Sequence, residues 1–155
     1  MTMSALFAKM NLKNQTAITV LDAPASFESA LAELSGVTVT RAAKNRTPIH
    51  FAIAFATSQQ ALDKSSAALA AAAEGDAILW VAYPKGTSKR YTCEFNRDSG
   101  WAVLGAAGFE PVRMVAIDED WSALRFRRTS YIKTLTRRPE TTISPEGQTR
   151  TRASR

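Results

Sequence analysis

Residues 76–128 read DAILWVAYPKGTSKRYTCEFNRDSGWAVLGAAGFEPVRMVAIDEDWSALRFRR, and this stretch decides the fold. Ala77–Ala82 (AILWVA) is a continuous apolar run, as a strand covered on both faces would be. Tyr83-Pro84-Lys85-Gly86 stops it, because proline has no amide to give a central strand. A basic loop with Lys85, Lys89, Arg90 and Arg97 leads to Asp98, an acceptor suited to cap a helix over Gly100–Ala107, with Gly108 at its left-handed end. Pro111–Ile117 alternates apolar and polar, Asp118-Glu119-Asp120 turns, and Trp121–Arg127 alternates back, which is the pattern of a hairpin.

Working outward, the preceding half repeats the strand–helix alternation. Thr16–Leu21 reads as a strand ending at Asp22-Ala23-Pro24. A helix follows, with Ser26 as cap, apolar positions at Phe27, Ala30, Leu31 and Leu34, and Gly36 closing it. Val37–Arg41 and Ile49–Ala56 read as strands. Thr57-Ser58 then opens a helix from Gln59 to about Ala73, which Glu74-Gly75-Asp76 ends. Strands alternating with helices imply a mainly parallel sheet. The expected fold is one three-layer α/β Rossmann-like domain over residues 16–138 with a C-terminal antiparallel hairpin. Residues 1–15 read as an irregular segment. Residues 139–155, rich in Thr, Ser, Pro and Arg, read as a disordered basic tail.

Composition narrows the function classes. At 155 residues the chain has room for one core, and 45% apolar with 22% charged residues is ordinary for a soluble globular protein. No run approaches the roughly 18 apolar residues of a membrane span, and a cytoplasmic protein without a membrane partner is expected. The net charge of +6 divides unevenly: residues 129–155 carry six basic and two acidic side chains, residues 1–128 fourteen and twelve. The high charge thus belongs mainly to the tail, which offers non-specific phosphate contacts to a nucleic acid but no interleaved aromatics for stacking. A fold basic over its whole face is not indicated. One cysteine and one histidine (Cys93, His50) make neither a disulfide nor a metal site by themselves, and no metal is expected.

Three blocks carry a resemblance: VLDAPASFESAL (20–31), ILWVAYPKGTSK (78–89) and VAIDEDWSALRF (115–126). They are similar to motifs of a bacterial family known as domain of unknown function 3052, over about Val20 to Arg128. The element order also resembles the second half of a class I methyltransferase-type Rossmann-like domain. These resemblances imply the fold and bring no catalytic residues with them. Methyltransferases of that class carry a glycine-rich turn after the first strand and an acid after the second for the ribose of S-adenosylmethionine. Here Leu21-Asp22-Ala23-Pro24-Ala25-Ser26 holds no glycine, and Thr40-Arg41-Ala42 holds no acid. No cofactor is therefore expected.

In an open α/β sheet, ligands sit outside the carboxyl ends of the parallel strands. That rim gathers Tyr83, Lys85, Lys89, Arg90 and Arg97 near Asp118, Glu119 and Asp120, with the helix after Asp98 aiming amides at the same place. The sequence predicts a pocket for a phosphate- or carboxylate-bearing small molecule there, or, alternatively, ion pairs between basic loop and acidic turn. An enzyme would use Lys85, Arg97 and Asp118 or Asp120 on a phosphorylated or carboxylated substrate. Cys93, among basic neighbours, reads as an incidental loop cysteine or as a thiol of lowered pKa. Trp80, Trp101 and Trp121 fall on apolar faces and are expected in the core.

Overall fold

The structure is a computed structural model that describes residues 5–43, 47–96 and 99–132. Six strands form one sheet: β1 (Ala17–Leu21), β2 (Thr38–Thr40), β3 (Ile49–Phe55), β4 (Ala73–Pro84), β5 (Phe109–Ala116) and β6 (Trp121–Arg128). Their spatial order is β2-β1-β3-β4-β6-β5. The β2–β1, β1–β3 and β3–β4 pairings are parallel; β4–β6 and β6–β5 are antiparallel. The hairpin thus folds back so that its second strand, not its first, lies against β4. The order changes direction between β1 and β3, the place where the carboxyl ends of such sheets open a crevice.

Helices cover both faces. On one side lie α1 (Ala5–Lys9), α2 (Ala25–Ala32) and the chain up to Leu12, packing Phe7, Met10, Leu12, Phe27 and Leu31 against Phe51, Ile53, Ile78 and Trp80. On the other, α3 (Gln59–Ala72) and α4 (Ala102–Ala106) pack Leu62, Leu69 and Leu104 against Ala52, Ala54, Leu79, Val81 and Phe126. Small alanines in β3 facing α3 let the helix approach the sheet closely. The three tryptophans are in the core: Trp80, Trp101 and Trp121 are all buried.

Three local expectations are corrected. The segment before Thr16 is not irregular throughout: α1 forms, and Phe7 and Met10 are fully enclosed. Trp80 Nε1 donates to the Met10 carbonyl at 3.0 Å, which ties this segment to the middle of β4. Glu74-Gly75-Asp76 does not end the helix as a loop; α3 stops at Ala72 and β4 begins at Ala73. Arg128 holds that start, with Nη2 donating to Ala73 O at 2.6 Å and Nε to Gly75 O at 3.1 Å. α2 starts at Ala25 after Pro24, so Ser26 lies inside it rather than capping it. Ser58 does cap α3, its hydroxyl accepting from Ala61 N at 3.2 Å. The expected tail, residues 139–155, lies outside the described residues, as does the chain from 133 onward.

Asp76 also meets the hairpin, accepting from Arg127 Nε and Nη2 at 2.8 and 2.7 Å. This bidentate guanidinium holds the carboxyl below its ordinary value, against a smaller opposing effect of burial. A carboxyl whose pKa is depressed by folding stabilises the fold above its unfolded value and loses that contribution as pH falls through its folded one. The expected result is that Asp76→Asn is less stable than wild type at pH 7 and that the difference narrows below about pH 4. Urea unfolding at pH 7 and pH 3 measures it.

Candidate functional site

The loops after β4 and β5 do meet at one rim. Pro84 ends β4, and Lys85 N donates to the Asp120 carbonyl at 2.7 Å. The turn from Lys85 closes with Ser88 N donating to Lys85 O at 3.0 Å. Ser88 then becomes the junction of the two loops: its hydroxyl donates to Asp120 Oδ1 at 2.8 Å and accepts from Arg90 N and Tyr91 N at 3.3 and 3.2 Å. Asp118 is spent on its own turn, one carboxylate oxygen accepting from Asp120 N at 2.8 Å and Trp121 N at 2.9 Å. The acids of the hairpin turn therefore bind a hydroxyl and backbone amides. Among the described residues they form no ion pair with Lys85, Lys89 or Arg90.

From Tyr91 the chain runs back across the rim. The Tyr91 ring packs on Trp121, centroids 4.9 Å apart, on the α2 side of the sheet. Phe95 and Trp101 pack on Tyr83 at 5.9 and 5.8 Å on the α3 side. Between them Glu94 straddles the end of β3: its amide donates to Thr57 O at 3.0 Å, and its carboxylate accepts from Gln59 N at 2.8 Å. That carboxylate supplies an acceptor to the first turn of α3, where backbone N–H groups otherwise lack one. Gly100 lets the chain leave, at φ +99. Its carbonyl accepts from Gln59 Nε2 at 2.9 Å.

This course encloses a cleft of about 450 Å³ at the carboxyl end of β4. Tyr83, Pro84 and Lys85 line it at the end of β4, and Ser88, Tyr91, Thr92, Cys93, Glu94 and Asn96 line it along the returning loop. Of the eight residues named from the sequence, Tyr83 and Lys85 line the cleft, and Glu119 is exposed outside it. Lys89 and Arg90 are exposed and do not line it; Asp118 and Asp120 organise the turn beside it. Arg97, with Asp98, lies outside the described residues. Sequence reasoning missed Ser88, Glu94 and Asn96. The Pro84–Ser88 turn signal pointed to Ser88, whereas nothing local marks Glu94, whose partners Thr57 and Gln59 lie some 35 positions earlier. The helix expected to aim amides at the rim is only the five residues of α4, too short for a useful dipole.

Cys93 is half-buried in the cleft wall. Burial pushes its thiol up, and the Glu94 carboxylate adds to this against a backbone hydrogen bond from Phe95. The lowered-pKa reading is thereby corrected: burial dominates, and no cation among the described residues offsets it. Alkylation by iodoacetamide at pH 7.5 is expected to be slower than for a free cysteine and to rise steeply above pH 9. Rates timed by mass spectrometry across that range check it. Among the described residues no three His, Cys, Asp or Glu side chains gather as a metal site. His50 is exposed at the start of β3.

Comparison with solved structures places the chain among proteins of the class I methyltransferase fold. It matches a S-adenosylmethionine-dependent methyltransferase from Aquifex aeolicus with a TM-score of 0.54 and 14% identity, over 79% of this chain and 87% of that one. A magnesium protoporphyrin IX methyltransferase from Synechocystis, solved with bound S-adenosylmethionine, matches at 0.50 and 15%, over 80% and 74%. A protein described as a "possible exported protein" from Bordetella parapertussis matches at 0.52 and 8%, over 79% and 65%. At such identities the likeness is one of fold. No protein-family model matches the chain, and no curated protein does.

S-adenosylmethionine itself fits the residues present poorly. Asp22 occupies the turn after β1 at φ +56, a left-handed conformation that a glycine would take without strain and with no side chain in the way. After β2 stands Arg41, whose guanidinium is locked on Glu28 at 2.7 and 2.8 Å. Neither position offers this cofactor what the fold ordinarily provides there. No helix among the described residues is long and apolar enough to cross a membrane.

Proposed function

We propose that this α/β protein binds a small phosphate- or carboxylate-bearing molecule in the cleft at the carboxyl end of β4. The observation that carries this reading is the state of the charges around it. Asp118, Asp120 and Glu94 are committed to a hydroxyl and backbone amides, while Lys85 lines the cleft and forms no ion pair among the described residues. A lysine is thereby left to complement an anion, with Tyr83 and Tyr91 as the less polar lining and Asn96 as a further polar one. The kinship of the sequence blocks with the bacterial family of domain 3052 is part of the same proposal.

The fold supports a second reading, a transferase acting on a phosphorylated or carboxylated substrate, since proteins of this architecture include the methyltransferases above. One experiment separates the two. Thermal unfolding of the wild-type chain is followed with phosphate, phosphosugars, nucleotides, short dicarboxylates and S-adenosylmethionine. A ligand present at about 100 times its Kd adds about 2.7 kcal/mol, a shift readily seen. At least one anion is expected to raise the midpoint, and Lys85→Ala to abolish that rise while leaving the ligand-free midpoint unchanged. No shift with any anion would sink the cleft reading. A shift with S-adenosylmethionine, or turnover of a stabilising anion, would establish the transferase.

A further inference from the structure

The outer hairpin carries guanidinium groups that the rim cleft does not use, on the face of the sheet away from α3 and α4. Along β6, Trp121 and Ala123 belong to the α2-side core, so strand alternation turns Arg125 and Arg127 to the same side. The register places Arg113 of β5 directly across from Arg125, and Trp80 of β4 across from it on the other flank. Directly opposed residues of an antiparallel pair hold their Cβ atoms about 5 Å apart, and next-but-one residues about 7 Å. Arg113, Arg125 and Arg127 are thus close enough to share one ligand.

Their circumstances differ. Arg127 is committed to Asp76 through two hydrogen bonds. Arg113 is exposed and Arg125 half-buried, and neither forms a hydrogen bond or ion pair among the described residues. Arg125 Nε is wholly buried and has no acceptor among the described residues. Among the described residues, the acids set beside these arginines are Asp76, already taken, and Glu110, which the register sets opposite Arg127 and which is fully enclosed. Burial lowers the pKa of Arg125, and Arg127 and Arg113 lower it further against the opposing pull of Asp76. A half-buried guanidinium that meets two others and no free carboxylate is unfavourable as a purely structural element. An oxyanion that accepts from its Nε–Nη fork reverses that balance.

We propose that Arg113 and Arg125 form a second anion site, for a compact phosphate or pyrophosphate group borne by a small ligand, on the outer hairpin. Two uncommitted guanidiniums on opposed positions suit one such group. A polynucleotide would engage a row of phosphates and depend steeply on salt.

The test titrates pyrophosphate into the full chain by calorimetry, for wild type, Arg113→Ala, Arg125→Lys and Lys85→Ala. Pyrophosphate is expected to bind wild type, and Lys85→Ala to keep one pyrophosphate per chain at the hairpin. Arg125→Lys keeps the charge but loses the fork, and Arg113→Ala removes the exposed partner; each is expected to weaken binding at least tenfold. Arg113 is a surface residue, so its variant keeps the test valid should Arg125→Lys fail to fold. Absence of binding to wild type overturns the proposal. So does binding lost in Lys85→Ala and kept in Arg113→Ala, which would place the anion in the rim cleft. A twelve-residue thymidine oligonucleotide forms the last arm: tighter binding than pyrophosphate, lost in Arg113→Ala, would overturn the compact ligand.

Discussion

Replacing Phe7 with alanine is expected to cost about 3–5 kcal/mol, the range for emptying an enclosed aromatic site. Phe7 has no exposed surface, and its ring lies 5.7 Å from that of Phe27 and 6.5 Å from that of Phe51. It comes from a helix of five residues that has no stability of its own. The side chain therefore anchors the segment as much as the segment positions the side chain. Its loss should also release the Met10 carbonyl from Trp80, leaving an indole N–H deep in the sheet without its acceptor. Urea unfolding of Phe7→Ala, followed by tryptophan fluorescence, measures the cost. A loss below about 1 kcal/mol, the size of a surface change, would show that the segment is not part of the core.

Gly100→Ala is expected to destabilise by about 2–6 kcal/mol, for two reasons that add. At φ +99 a residue with a side chain is strained, typically by about 1–3 kcal/mol. A Cβ at this position would also stand 2.7 Å from Phe95 Cβ and 2.9 Å from Gln59 Oε1. The first contact involves a ring wedged between Tyr83 and Trp101, with little freedom to retreat, so overpacking adds about 1–3 kcal/mol. Because Phe95 and Asn96 line the cleft, the same change should impair anion binding there. Gly86→Ala is the matched control: a Cβ at Gly86 meets nothing within 4 Å. Thermal unfolding of the pair reads the contrast.

The regular parts of the fold were legible because their signals are local. The apolar runs at Ile49–Phe55 and Ala77–Ala82, the serine before α3 and the alternation on either side of Asp118-Glu119-Asp120 each point to one structure. What escaped depends on distant partners. Phe7, Met10 and Leu12 stand among lysines in a stretch too short to show a period, and only the surface around Trp80 makes them core. Glu74-Gly75-Asp76 has poor strand propensity, yet Arg127 and Arg128 hold it in the sheet from more than 50 positions away. The helix expected from Gly100 begins only at Ala102, because Gly100 sits at positive φ and Trp101 is not helical.

The site was legible to the same extent. The meeting of the two loops followed from strand direction. The partners within it did not, because a carboxylate beside amides, a hydroxyl and lysines has several neighbours of similar strength. Asp118 and Asp120 chose the nearest N–H and O–H groups, which left Lys85 to the cleft.

The sheet order bears on how the chain assembles. β5 reaches the sheet only through β6, since β6 lies between it and β4. A ribosome-bound chain that has released β1 to β4 and β5 must wait for Arg128 before the outer half can close. Until then β4 presents an open edge, with Leu79, Val81 and Ala82 poised to pair with any passing strand. The interval is short, about 23 residues from the start of α4 to the middle of β6 taking a second or more at ordinary rates of synthesis. During it, the hairpin turn with its self-contained Asp118 bonds can form early, which makes the turn the natural starting point for zipping β6 into place.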